Sequence, residues 1–285
     1  MKELITFKKQ RELGDIITDT FKFIRLEYKP LFKALLRNAA IPFLVLIAIS
    51  AYYTSATPNF SFLEGGTFGA ANLFLPILAL FIALFFYYGV LYGTILNYIK
   101  LYVANQGVVD QDELKRSVKS ELGSLTGLTF LIFIMMFFGF MLCFFPGVYI
   151  AIPLSLAWAI LVFENKAVGD SISDSFKLIK NEWWITFATM LVLGILLYIA
   201  NIVLSLPVIL YSLTKGFLSA ETISQGDMSS MFDWVYITLS VLSSAVQYIL
   251  AGIFAIAIAF IYFNLNEKKN QTGTFETIES IGSDL

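Results

Sequence analysis

Histidine is absent from the 285-residue chain. That removes every mechanism built on imidazole as base, proton shuttle or metal ligand. Cysteine occurs once, at Cys143, so no intramolecular disulfide can form, and within its apolar run the residue reads as a small buried hydrophobe. Charged residues make up 14% of the chain, where a soluble domain keeps roughly 25% to cover its surface. A net charge of −2 supplies no concentrated basic face for nucleic acid. No phosphate-binding loop, nucleophile elbow or metal-ligand cluster is present, so neither an enzyme nor a cofactor is expected. What is abundant is apolar: 58% of residues are hydrophobic, with 28 Phe, 14 Tyr and 4 Trp, and the mean hydropathy is +0.77. The solvent for much of such a chain is lipid.

Six charge-free apolar runs cover residues near 38–55, 72–99, 123–145, 148–163, 184–212 and 234–264. About 20 helical residues cross a hydrocarbon layer ~30 Å thick, so each run is expected to be a transmembrane helix. The fourth is short, and either spans fully or is re-entrant; Pro146–Gly147 is the expected breaker between the third and fourth. No apolar segment precedes residue 38, so the first span is expected to direct insertion rather than a cleaved signal peptide.

Basic residues set the orientation. Nine Lys/Arg precede the first span, four lie between Lys100 and Lys119, three between Lys166 and Lys180, and two follow the sixth span. Only Lys215 of the 19 falls on the other side. Both termini are therefore expected on the cytoplasmic side of the membrane. Residues 1–264 form one membrane domain and 265–285 a flexible polar tail. The outer segments 56–71, with Glu64, and 213–233, with Lys215, Glu221, Asp227 and Asp233, are modest; the second has room for a short helix.

An internal repeat organises the chain. Gly14–Lys29, GDIITDTFKFIRLEYK, returns 155 positions later as Gly169–Trp184, GDSISDSFKLIKNEWW. Asp15/Asp170, Asp19/Asp174, Phe21/Phe176, Lys22/Lys177 and Glu27/Glu182 are identical pairs. In the first copy Ile17, Phe21, Ile24 and Tyr28 recur at helical spacing. The pattern predicts cytoplasmic amphipathic surface helices near 15–28 and 169–183, lying on the bilayer with aromatics down. Asp15 is the expected N-cap of the first, Asp19–Lys22 an i,i+3 ion pair, and Pro30 the point where that helix stops. A weaker analogue near 110–121 opens on Asp110 and Glu113, spaced like a capping box, and shows a thin stripe of Leu114, Val118 and Leu122. The predicted fold is thus all-α: six transmembrane helices as three hairpins, each entered through a surface helix from the same side, as parallel repeats.

Candidate contact residues follow from this plan. Lys22, Arg25, Lys177 and Lys180 suit lipid phosphate or an acidic partner, although ordinary attraction to anionic headgroups predicts the same residues. Trp183 and Trp184 are expected as interfacial anchors. The pair Asp15/Asp19, echoed by Asp170/Asp174, reads as capping and dipole complement rather than a cation site. Gly89-x-x-x-Gly93 offers a small-residue face for helix packing, within the chain or in self-association. Prolines 42, 76, 153 and 207 should kink spans. No Asp, Glu, Lys or Arg is expected at mid-membrane depth, which counts against a proton-coupled carrier. Asn97, Asn201, Ser205 and Gln247 would line any solute or lipid path between hairpins.

The stretch Pro146–Trp184 holds Pro-Gly-x-Tyr at 146–149, Leu-Ser-Leu at 154–156, Glu164, and then the Gly169–Phe176 helix and the Trp pair. It resembles the membrane domain attached to some bacterial glycerophosphodiester phosphodiesterases, and related stand-alone bacterial membrane proteins of unknown function. In the phosphodiesterases catalysis belongs to a separate barrel with histidine, which this chain lacks. The resemblance therefore implies topology, and no catalytic residue carries over. The function expected is that of a non-enzymatic accessory, scaffold or regulatory subunit of an envelope assembly, touching membrane lipids and other membrane proteins or itself. The alternative is a transporter, channel or lipid-handling protein for a neutral or lipid-like substrate.

Overall fold

The computed structural model describes residues 4–56, 66–218, 232–273 and 275, with no account of the side chains at 56 and 66–73. The described residues contain seven helices: α1 (Leu13–Ala56), α2 (Gly66–Ala104), α3 (Gln111–Leu142), α4 (Phe144–Glu164), α5 (Val168–Leu178), α6 (Trp183–Leu218) and α7 (Trp234–Asn270). Six of them, all but α5, are long and apolar enough to cross a membrane. Most of the expected outer segments, Glu64, Glu221 and Asp227 among them, and the end of the tail from 276 lie outside the described residues.

Several boundaries differ from the expected ones. Pro30 does not end the first helix, because α1 runs unbroken for 44 residues. Proline costs the helix one N–H, leaving the Leu26 carbonyl without its i+4 donor. Leu31 and Ala34, both buried just beyond, supply packing that keeps the chain helical. The region near 110–121 is likewise continuous with the following span as α3. Only near 169–183 does a separate short helix, α5, precede its span. The break between the third and fourth spans falls at Cys143 rather than at Pro146–Gly147, which lie in the first turn of α4, where proline is tolerated. Cys143 itself is exposed, not buried. α7 continues to Asn270, so the tail begins later than residue 265; Glu267 is buried there.

The helix starts also differ in detail. Asp15 is not the N-cap of α1 but sits in its first turn, where its carboxylate accepts from the Glu12 N–H at 3.2 Å. Asp170 holds the matching position in α5, whose N-cap is Ala167. Asp110 does cap α3, accepting from the Asp112 N–H at 2.8 Å.

By contacts the chain divides into two units. The first comprises Met1–Ala40, Tyr88–Gly194 and Gly252–Leu285. Its centre is an aromatic cluster in which Phe7 stacks on Phe260 at 4.4 Å and meets Phe23, Tyr102 and Phe263 edge-on. The second half of α4, from Ile152 to Val162, is almost entirely buried. Trp158 of α4 packs on Tyr92 at 4.8 Å and donates its indole N–H to the Thr129 hydroxyl at 3.0 Å. α2 approaches α3 through Gly89 and Gly93: a Cβ at Gly89 would lie 3.2 Å from the Thr126 backbone, and one at Gly93 2.4 Å from Leu125. After α2 the chain turns through Gln106 and Gly107, both at positive φ, and a Cβ at Gly107 would strike Leu4; glycine is required there.

The second unit comprises Ile41–Tyr87 and Ile195–Ala251. Its hydrogen bonds link helices side to side: the Tyr87 hydroxyl donates to the Tyr248 carbonyl at 3.1 Å, Ser50 meets the Tyr248 hydroxyl at 3.1 Å, and Ser205 meets Ser243 at 2.7 Å. Asp233 caps α7, accepting from the Tyr236 N–H, and pairs with Lys215 at 2.7 Å. Those partners hold the Asp233 carboxyl well below the usual carboxylate range. Much of α6 from Ile195 onward is exposed, as suits a helix surrounded by lipid.

Candidate functional site

The polar chemistry of the first unit collects around both copies of the repeat. In copy one the buried face of α1 is Ile16, Thr20, Phe23, Glu27 and Leu31. The apolar stripe faces outward: Phe21 and Tyr28 are exposed, and Ile17 and Ile24 are half-buried. A helix in lipid need not hide its apolar side chains from its surroundings, so burial goes to the face that carries Glu27. That carboxylate is 0% exposed and accepts from the Tyr98 hydroxyl of α2 at 2.8 Å.

Ahead of α1, residues 4–12 form a strap held by Arg11. Its Nε donates to Asp19 at 2.8 Å, and its remaining N–H groups serve the carbonyls of Thr6, Phe7 and Lys9. The guanidinium stacks over the Phe260 ring at 4.8 Å. Five fixed donors in one plane suit such a multi-carbonyl clamp, which lysine could not reproduce. Burial draws the Arg11 pKa below its ordinary value, opposed by the hydrogen bond and charge of Asp19. The Arg11 backbone N–H donates to Asn264 of α7 at 2.8 Å, and the Ile5 N–H to the Tyr102 hydroxyl at 3.1 Å.

Copy two repeats the plan with weaker parts. Lys166 stands where Arg11 does, eight residues ahead of its aspartate, and bonds Asp174 at 2.7 Å and Glu164 at 2.5 Å. Lys177 meets the other Asp174 oxygen at 2.8 Å, an i,i+3 pair. Hydrogen bonds from Lys166 and Lys177 lower the Asp174 carboxyl to about 2, and those from Asp174 and Glu164 raise the Lys166 ammonium. Glu164 also accepts from the Tyr262 hydroxyl at 2.9 Å. Glu182, the counterpart of Glu27, is half-buried and paired with Lys268 at 2.8 Å.

The proposed contact residues distribute around these pairs. Arg25 and Lys180 are exposed, Lys177 is exposed but shares Asp174, and Lys22 is half-buried. Trp183 is a packed residue, stacked between Tyr149 and Phe187 at 5.4 and 5.2 Å and donating its N–H to the Tyr149 carbonyl. Trp184 projects outward at 75% exposure. Asn97 is 1% exposed and donates to the Gly93 carbonyl and to Glu121. Asn201 and Ser205 belong to the other unit and are half-buried, and Gln247 there is exposed. Among the described residues no group of three or more acidic or cysteine side chains could hold a metal ion.

Sequence reasoning missed Arg11, Glu27, Tyr98 and Glu267. The available signal was the repeat itself: Arg11/Lys166 extends it by three residues, and Glu27/Glu182 is an identity at a position otherwise treated as surface.

Six membrane-length apolar helices, with ionisable groups paired rather than gathered into a reactive cluster, define a multi-pass α-helical membrane protein. The chain belongs to UPF0259, an uncharacterised protein family whose profile matches residues 71–237. That membership accords with the resemblance to membrane proteins of unknown function, and no finding links the chain to the phosphodiesterases. No curated protein and no solved structure matches it.

Proposed function

We propose that the protein is a non-enzymatic accessory or scaffold subunit of the bacterial inner membrane, with both termini in the cytoplasm and three helical hairpins entering from that side. The observation that carries this reading is the internal neutralisation of the acids around the repeat. Asp19, Asp174, Glu164 and Glu182 are spent on Arg11, Lys166, Lys177 and Lys268. Arg25, Lys29, Lys33 and Lys180 stay exposed alongside Phe21, Tyr28 and Trp184. A cationic surface interleaved with exposed aromatics suits anionic headgroups and the acidic face of a neighbouring membrane protein. The positive-inside bias supports the orientation, since Lys215 alone falls on the opposite side.

Photocrosslinkers at Arg25 and Lys180 test the reading in intact membranes. Capture of a defined membrane protein supports it, and capture of nothing but lipid and the chain itself removes the scaffold role. Cysteine labelling at Lys215 and Lys177 from opposite faces of the membrane checks the orientation separately. The carrier alternative draws no support from Asn97, which is buried and committed to Gly93 and Glu121.

A further inference from the structure

The turn between α3 and α4 is unlike the other turns described between helices. Residues 105–110 read NQGVVD, 165–167 NKA and 179–182 IKNE, each with polar or charged side chains. The α3–α4 connection runs Phe140-Met141-Leu142-Cys143-Phe144-Phe145-Pro146, seven consecutive residues, all exposed and none with a polar side chain other than the weakly polar thiol. Phe137 and Phe138, one turn earlier, are exposed too. An aqueous loop of this composition would place a continuous apolar patch in water, which folded proteins avoid.

The backbone at this turn is economical. Only Cys143 departs from helical conformation, with extended φ −172° and ψ 158°. Its N–H donates to the Gly139 carbonyl at 3.3 Å, and its carbonyl accepts from the Gly147 N–H at 3.2 Å. Pro146 has no N–H to satisfy. Gly139 and Gly147 let the two arms touch: a Cβ at Gly139 would lie 3.2 Å from the Gly147 Cα, and one at Gly147 2.4 Å from the Phe140 ring. These two hydrogen bonds, with the N–H that proline lacks, reduce the number of unpaired backbone groups that bar irregular structure from hydrocarbon.

Arm length agrees. From Glu121, the last charge of α3, to Cys143 the helix rises roughly 33 Å, and the 21 residues of α4 rise roughly 31 Å to Glu164. Both match a hydrocarbon layer ~30 Å thick with nothing left over for an emergent loop. Below the tip, Phe133, Met136, Phe137, Phe140 and Met141 line an apolar groove of about 490 Å³.

The geometry points to a submerged hydrophobic wedge: the α3–α4 tip stays inside the bilayer, its phenylalanines set among lipid acyl chains and its groove filled by one of them. This rests on the membrane reading of the fold and not on the scaffold role. It replaces a loop on the far face with a lipid-binding tip, and it leaves the orientation of every other helix unchanged.

The single native cysteine sits at the apex and serves as the reporter. A nitroxide is attached to Cys143 in the full chain, which is then reconstituted in phosphatidylethanolamine–phosphatidylglycerol vesicles. Its collision rates with oxygen and with a polar nickel chelate are compared with those of Lys115→Cys in a Cys143→Ala chain, since Lys115 is exposed at the charged base of α3. The expected result is oxygen access above that of the Lys115 label, with chelate access lower by roughly tenfold or more, because a polar solute is excluded from hydrocarbon. Chelate access equal to the Lys115 label would show that the turn emerges into water and would overturn the wedge while leaving six complete spans. Low access to both probes would mean that protein covers the tip, and would overturn it equally. A Lys115 label that itself reports hydrocarbon would fault the membrane placement of the α3 base rather than the wedge.

Discussion

The two copies of the repeat share eight identical residues over sixteen positions, yet the chain leaves them by different routes. After copy one, α1 continues as a single helix to Ala56; after copy two, α5 stops at Leu178 and α6 starts afresh at Trp183. The position that differs in kind is Leu26/Asn181. Asn181 sits at φ 73°, in the left-handed region that asparagine tolerates and leucine avoids. The Glu182 N–H then bonds the Ile179 carbonyl at 2.9 Å, closing a turn before α6 begins. A shared motif therefore fixes where the helix starts and how its aspartate is paired, and one residue near its end decides whether the helix goes on.

The same comparison separates a buried clamp from a solvated one. The Arg11 side chain is fully buried against Asp19 and three carbonyls, while the Lys166 side chain is 36% exposed. Arg11→Ala should therefore cost about 3–5 kcal/mol, the range for breaking a buried charge pair, and Lys166→Ala at most about 1 kcal/mol. Thermal unfolding of both variants in detergent checks this, and equal losses would erase the distinction. Next in size, Tyr98→Phe removes the hydroxyl that donates to the buried Glu27 carboxylate and is expected to lose about 1–3 kcal/mol. Lys268→Met, which removes the partner of half-buried Glu182, should lose about 1 kcal/mol or less in the same assay.

Asn181→Leu places a branched side chain at positive φ and should cost about 1–2 kcal/mol, whereas Asn181→Gly should be nearly neutral. Electron resonance distances between labels on α5 and α6 would show whether the leucine variant straightens the junction as in α1. The smallest effect is one of pH. Because Asp174 is lowered to about 2, its pairing contributes fully above the ordinary carboxylate value near ~4 and is lost as pH falls towards 2. Because Lys166 is raised, its share is complete below the ordinary lysine value near ~10.4 and is lost as pH rises beyond it. Amide exchange in α5 should therefore be slowest, relative to its unfolded rate, between these limits, and Asp174→Asn should remove the acid-side loss.

Much of this plan was legible in the residues. Long charge-free runs give away membrane-length helices because length and hydropathy are all that crossing requires. The repeat marked where α1 and α5 begin to within a residue or two. What was not legible was which face of α1 is buried. The apolar stripe of Ile17, Phe21, Ile24 and Tyr28 marks a side that faces lipid, and it leaves open which of the remaining residues pack inward. Next to lipid an aromatic side chain gains little by moving from hydrocarbon into protein, while a carboxylate such as Glu27 gains a great deal. Nor could hydropathy reveal the continuity of α1 through Pro30, since proline reads as a stop unless the packing beyond it is known. Arg11 was hidden for a third reason: its partners at Thr6, Phe7 and Asp19 are local, but its ring partner Phe260 is far away in sequence.

That last separation has a bearing on how the molecule is made. Arg11 bonds a residue 253 positions further on, and Phe7 stacks on Phe260. The strap leaves the ribosome before its seat on α7 is synthesised. Until α7 has been made, residues 4–12 must wait undocked, and their engagement marks its arrival. A domain fused ahead of the strap would be felt at that docking step, after α1 to α6 had been made.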